Sequence, residues 1–232
     1  MIGVYDYTVI LTYLSLLSGC TGTIIAMSGL GHPYIGMFLM LFAGLCDCFD
    51  GKVARTKKNR TQLELDFGVQ IDSFADLISF GVLPAAIGMS LLRRSVKYYD
   101  MPLVDANHQL HWYPVVLILI ALFYVLASMI RLAYFNATQE EREQEVRESG
   151  VSHYTGLPLA AAALVFPIVL MLHYIPCFDL SIVYFVVMLI LAVLYLGRFK
   201  IRKPGIKGLS ILIGIGLVEF IVFLILKRVT MQ

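Results

Sequence analysis

The chain has 232 residues, 59% hydrophobic and 15% charged, with a mean hydropathy of +0.81. A formal net charge of +2 and a pI near 8.3 are too mild to point to nucleic acid. Uncharged runs such as PVVLILIALFYVLASMI and SIVYFVVMLILAVLYLG are long enough, or nearly so, to cross a bilayer, which excludes a soluble domain built on one large core.

In lipid the backbone must satisfy itself, so uniformly apolar runs are read as helices. The alternating segments of about ten residues that mark a β-barrel are missing. The expected fold is therefore all-α, a polytopic membrane helical bundle. Spans are predicted at 7–30, 33–56, 67–92, 112–136, 156–175, 179–197 and 209–227. The start, MIGVYDYTVILTYL, has no basic n-region and reads as a retained first span, not a signal peptide.

The connections alternate in character. RTKKNRTQLELD, ATQEEREQEVRESGVSHY and GRFKIRKPGIKG are charged, whereas GLGHP and IPCFD are short and nearly neutral. Basic residues concentrate in the second, fourth and sixth loops, which the positive-inside tendency places in the cytoplasm together with the amino terminus. Arg93, Arg94 and Lys97 in the third loop, and Lys227 and Arg228 near the end, run against that majority. EEREQEVRESG reads as a solvated helix between spans, and the basic cluster from Arg198 to Lys207 as a surface attracted to anionic lipid. No G-x-x-x-G pair occurs to suggest a helix-dimer motif. Cys20, Cys46, Cys48 and Cys177 show no C-x-x-C spacing and read as packing residues.

The chemistry concentrates between Cys46 and Gly81. Asp47, Asp50, Gly51, Ala54 and Arg55 recur at i, i+3, i+4, i+7 and i+8, one face of a helix at the end of the second span. Gly68, Asp72 and Asp76 recur at i, i+4 and i+8 at the start of the third. A short loop makes these helices antiparallel neighbours, so the two acidic stripes can meet. Four convergent carboxylates repel one another, and one or a pair of divalent cations resolves the repulsion. Oxygen ligands without histidine or thiolate suit Mg²⁺, Mn²⁺ or Ca²⁺. Gly51 and Gly68 leave room for a ligand close to backbone, Ala54 is small for the same reason, and Arg55 carries a fork suited to phosphate. Interfacial salt bridges from the aspartates to Arg55, Lys57, Lys58 and Arg60 are the bland alternative. A cation pathway lined by the aspartates is another, although it gives Gly51, Ala54 and Arg55 no role.

The pattern D-x-x-D-G-x-x-A-R followed by G-x-x-x-D-x-x-x-D, here DCFDGKVAR (47–55) and GVQIDSFAD (68–76), resembles the signature of the CDP-alcohol phosphatidyltransferases. DSFADLISFGVLPA, RLAYFN (131–136) and YTGLP (154–158) are similar to its phosphatidylserine synthase branch. Twelve residues separate Arg55 from Gly68, more than the family usually has, and the excess falls in the polar loop. The resemblance implies a six-helix core over residues 1–200, with 201–232 adding a basic loop and a seventh C-terminal helix. By the same resemblance Asp47, Asp50, Asp72 and Asp76 bind divalent cations, Mg²⁺ or Mn²⁺, and Asp76 is also the general base. Gly51, Ala54, Arg55 and Gly68 border the nucleotide and its diphosphate. Arg131, Asn136, Thr155 and Gly156 are candidates for the acceptor or a lipid phosphate. Alternatively, Arg131 snorkels to headgroups, and TGLP simply opens a span.

The implied reaction moves a phosphatidyl group from CDP-diacylglycerol to L-serine, giving phosphatidylserine and CMP. Glycerol phosphate or inositol phosphate is the alternative acceptor on the same chemistry. The resemblance also implies a homodimer in the cell membrane with the site facing the cytoplasm. A polar contact that the family has in its first span finds its nearest counterparts in Thr12 and Ser15.

Overall fold

The computed structural model describes residues 3–30, 32–94, 111–139, 141, 144, 147, 153–172, 180–202, 214–219 and 221–222. The bundle is made of α1 (Ile10–Ser28), α2 (Pro33–Ala54), α3 (Gln62–Asp76), a π-helical segment (Leu77–Val82), α4 (Leu83–Arg94) and α5 (Trp112–Ala137). A 3₁₀ turn (Leu159–Ala161) then leads into α6 (Ala162–Met171), followed by α7 (Leu180–Leu196). Residues 214–219 and 221–222 are also helical. Among the described residues, four helical stretches are long and apolar enough to cross a membrane: α1, α2, the continuous rod from Gln62 to Arg94, and α5.

Two details depart from the expected picture. The third span begins at Gln62, because Thr61 and Glu64 form a capping box that starts the helix within the polar loop. At 33 residues the rod is about 50 Å long, more than a bilayer core needs. The fifth span starts later than predicted. Residues 153–155 form a strand, β1 (His153–Thr155), antiparallel to β2 (Lys200–Arg202), with Thr155 opposite Lys200. Gly156 follows at φ 78°, and a Cβ there would lie 2.8 Å from the Gly197 carbonyl oxygen. Only glycine fits that turn.

Small residues let the helices approach. The buried face of α1 is Thr12, Ser15, Ser18, Gly19, Gly22 and Ala26. Its hydroxyls bond backbone across the interface: Ser18 Oγ donates to the Leu39 carbonyl at 2.7 Å and Ser15 Oγ to that of Ala43 at 3.4 Å. Ser79, in the π segment, donates to the Ser15 carbonyl at 3.0 Å. A Cβ on Gly19 would stand 2.9 Å from the Ser79 Cα, so α1 touches the π segment backbone to backbone. Without a hydrophobic drive in lipid, such contacts hold helices together. Large apolar side chains point the other way, as Leu17, Phe42, Leu122 and Val193 are exposed. Arg93 Nη2 donates to the Ala26 and Met27 carbonyls at 2.9 and 2.8 Å and caps the end of α1.

The π segment has a sequence cause. In α register the Phe80 carbonyl would accept from residue 84, which is Pro84 and has no N–H; the ring also crowds that carbonyl. The helix widens by one residue, so that the Leu83 N–H reaches back to the Ile78 carbonyl. The buried Tyr124 hydroxyl then donates to the Phe80 carbonyl at 2.6 Å. Tyr195 stands 3.5 Å from that hydroxyl and donates to the Leu159 carbonyl at 3.2 Å. Tyr184 donates to the Pro84 carbonyl at 3.0 Å. Tyr124→Phe is expected to destabilise the protein by about 1–3 kcal/mol, since it removes a buried donor from a carbonyl that Pro84 cannot serve. A thermal unfolding midpoint below wild type, with faster amide exchange confined to the π segment, checks this.

Candidate functional site

The site lies where α2 ends and α3 begins. Asp47 and Asp50 sit one helical turn apart near the end of α2, and Asp72 projects from α3. One carboxylate oxygen from each of these three lies within 4.8 Å of the others. Asp76 ends α3 directly before the π segment and lies outside that set of three. Among the described residues none of the four forms an ion pair, and Lys57, one of the four cations of the salt-bridge alternative, pairs with Asp6 and Glu64 instead. Three oxygens at this separation, free of cationic partners, suit a divalent cation. Cys46 and Cys48 are free thiols outside the oxygen set.

Neighbouring groups fix the acids. Thr12 Oγ1 donates to Asp50 Oδ2 at 3.3 Å, and the Gly51 N–H donates to Asp50 Oδ1. Thr12 therefore meets the site, whereas Ser15 bonds backbone. Ala54 is the last residue of α2 and Arg55 its cap, with an N–H directed to the Gly51 carbonyl. Arg55 Nη2 lies 3.7 Å from where a Gly51 Cβ would be, and Arg60 Nη2 lies 3.0 Å from a Cβ on Gly68. Sequence reasoning gave Arg60 no binding role. Its local signal is the lengthened loop itself.

The expected acceptor residues come from α5 and the turn before α6. Asn136 Nδ2 donates to Ser73 Oγ at 2.7 Å, which ties the end of α5 to the residue after Asp72. Arg131 is buried, donates through Nε to the Leu157 carbonyl at 3.0 Å and stands 5.5 Å from the Phe135 ring centre. Gly156 brings its turn against Arg131, whose Nε is 3.5 Å from where a Gly156 Cβ would be. The Thr155 side chain lies outside the described residues, as do Cys177, Lys97, Lys203, Lys207, Lys227 and Arg228.

A strap crosses the loop between α2 and α3. Lys57 Nζ lies 2.7 Å from Asp6 Oδ2 and 2.6 Å from Glu64 Oε1, and Thr56 Oγ1 donates to the Tyr7 hydroxyl at 3.2 Å. The segment before α1 is thereby tied to the loop between Arg55 and Thr61. Hydrogen bonds from Lys57 and then Thr8 hold the Asp6 carboxyl at about 2, below its ordinary 3.8. A carboxylate held low contributes its attachment above the ordinary value and loses it as pH falls from 3.8 through about 2. Asp6→Asn is expected to free residues 3–9 at neutral pH, seen as faster amide exchange there, while wild type shows that release only across the acid window.

Helices of membrane-crossing length, joined around an aspartate triad suited to a divalent cation, define a polytopic helical membrane protein with an acidic ligand site. A family model described as CDP-alcohol phosphatidyltransferase matches residues 8–201, and the chain belongs to that family. It is similar to the CDP-diacylglycerol–serine O-phosphatidyltransferase of Saccharomyces cerevisiae, 30% identical over 155 residues, covering 63% of this chain and 48% of the relative. The protein of the same name from Bacillus subtilis is 33% identical over 144 residues, 62% of this chain and 64% of the relative. An archaetidylserine synthase from Methanothermobacter thermautotrophicus is 34% identical over 152 residues, 65% of this chain and 53% of the relative. The matched regions thus span about half to nearly two thirds of those relatives. No solved structure matches the chain significantly.

Proposed function

We propose that the protein transfers a phosphatidyl group from CDP-diacylglycerol to L-serine, releasing phosphatidylserine and CMP. The observation that carries this reading is the aspartate triad on two antiparallel helices, within a chain whose family model covers residues 8–201. The names of the yeast, Bacillus and archaeal relatives support serine as the acceptor.

In this reading Asp47, Asp50 and Asp72 hold the cation, with Asp76 beside them. The three close oxygens, and the orientation of Asp50 by Thr12 and the Gly51 N–H, fit that role. A divalent cation, Mg²⁺ or Mn²⁺, alone or as a pair, supplies neutralisation of the diphosphate and stabilisation of departing CMP when bound. Gly51, Ala54 and Gly68 border the nucleotide, and Arg55 directs its guanidinium to the diphosphate. Asp76 takes the proton of the serine hydroxyl as its oxygen attacks the β-phosphorus in line; the bond to CMP breaks and no enzyme-bound intermediate forms. Arg131, with Asn136, Thr155 and Gly156, lines the acceptor side. Buried Arg131 is suited to the serine carboxylate, since its Nε bond to Leu157 fixes the plane of the fork.

The same reading assigns residues 1–200 to the catalytic membrane domain and 201–232 to a basic loop and an added helix. It places the protein in the cell membrane as a homodimer, with the site facing the cytoplasm. Basic residues in the even loops support that orientation, and capping of α1 by Arg93 supplies a separate reason for a charge in the third loop.

Purified protein with CDP-diacylglycerol and Mn²⁺ is expected to release CMP only when L-serine is present. Asp76→Asn should lower that rate by about 10²-fold or more. CMP release with glycerol phosphate or inositol phosphate but not serine would replace the acceptor and keep the chemistry. Cation flux without CMP release would overturn the reading.

A further inference from the structure

The loop between α2 and α3 is longer than the family resemblance calls for, and it carries Arg60. The Arg60 Nε is buried without a hydrogen-bond partner, while its Nη2 donates to the Glu64 carbonyl at 3.2 Å. Carboxylates near it in sequence are otherwise engaged. Glu64 accepts from Lys57 at 2.6 Å and from the Thr61 N–H at 2.9 Å, and Asp66 accepts from Gln62 at 2.8 Å. A guanidinium with a buried, unserved N–H and no carboxylate partner among the described residues is a charge awaiting an anion.

Its position says which anion. Arg60 Nη2 occupies the space beside Gly68, 3.0 Å from where a Cβ would be. Gly68 precedes Asp72 by one turn on the same face of α3, about 6 Å along the helix axis. On the opposing helix Arg55 stands over Gly51, next to Asp50. Two guanidinium forks thus stand beside the two glycines of the motif, one at the end of α2 and one before the start of α3.

We infer that Arg60 is a second phosphate-binding residue, which with Arg55 grips the diphosphate of a nucleoside diphosphate ligand. The assignment rests on the reading of CDP-diacylglycerol as donor, and it explains the lengthened loop, which delivers the second fork. It also bears on Gly68, since a Cβ there would crowd Arg60 Nη2 at 3.0 Å.

The test uses the full chain in nanodiscs of zwitterionic lipid, with Mn²⁺ and CDP as the soluble probe, read by calorimetry. Arg60→Gln keeps a donor for the Glu64 carbonyl and is expected to raise the Kd for CDP about tenfold, the loss of a charge-assisted hydrogen bond. Arg60→Lys should recover part of the loss, and Lys58→Ala, which removes a neighbouring exposed charge, should stay within about twofold. The KM for CDP-diacylglycerol should rise in parallel, with the KM for serine unchanged. Unchanged CDP affinity in both Arg60 variants overturns the inference, as does a CDP effect that appears only when anionic lipid is added to the discs, which would make Arg60 a headgroup contact. Wild-type protein that binds CDP through Arg60 but releases no CMP with serine would refute the proposed reaction alone. Serine-dependent CMP release with normal CDP binding in Arg60→Gln would refute the Arg60 assignment alone.

Discussion

Carboxylates gathered inside a helical bundle repel one another, and the helices that carry them must be held together by everything else on their shared surfaces. Here that work falls to small residues and hydroxyls. Ser15, Ser18 and Ser79 each bond a backbone carbonyl across a helix interface, and Gly19 lets α1 rest on the π segment. These contacts leave little room for a larger side chain and fix the approach of α1 to α2 and to the π segment. Thr12 extends the same interface into the site, since the α1 face that packs by serine and glycine ends in a hydroxyl on Asp50.

The second constraint is the peptide backbone itself. Pro84 deprives the Phe80 carbonyl of its helical partner at a depth where unsatisfied carbonyls are costly. The chain answers with a widened turn and a tyrosine from α5. That turn begins immediately after Asp76, and the tyrosine pair continues to the Leu159 carbonyl, close to the Arg131 and Gly156 contact. Tyr124 and Tyr195 therefore link the π segment to the turn before α6.

The acidic site was legible in the sequence because its information is local. Asp47 with Asp50, and Gly68 with Asp72 and Asp76, follow helical spacing, and one short loop dictates that the two stripes face each other. Most span positions were equally legible from uncharged runs. The capping box at Thr61 and Glu64 was also a local signal, and it explains why α3 starts earlier than hydropathy indicates. Other features depend on partners far along the chain. The pairing of β1 with β2 joins residues about forty-five positions apart with no alternating pattern to announce it. Arg60 beside Gly68, Asn136 on Ser73 and Tyr124 under Phe80 each require the fold to be known before the contact is visible.

If the three close aspartates form a cation site at the heart of the chemistry, the protein must bind a divalent ion through them. Electron paramagnetic resonance of Mn²⁺ titrated into the purified protein tests this most directly. The expected result is tightly bound Mn²⁺ that Mg²⁺ displaces and that Asp50→Asn and Asp72→Asn each abolish, with both variants still folded. Mn²⁺ bound equally well by folded variants lacking either aspartate would contradict it.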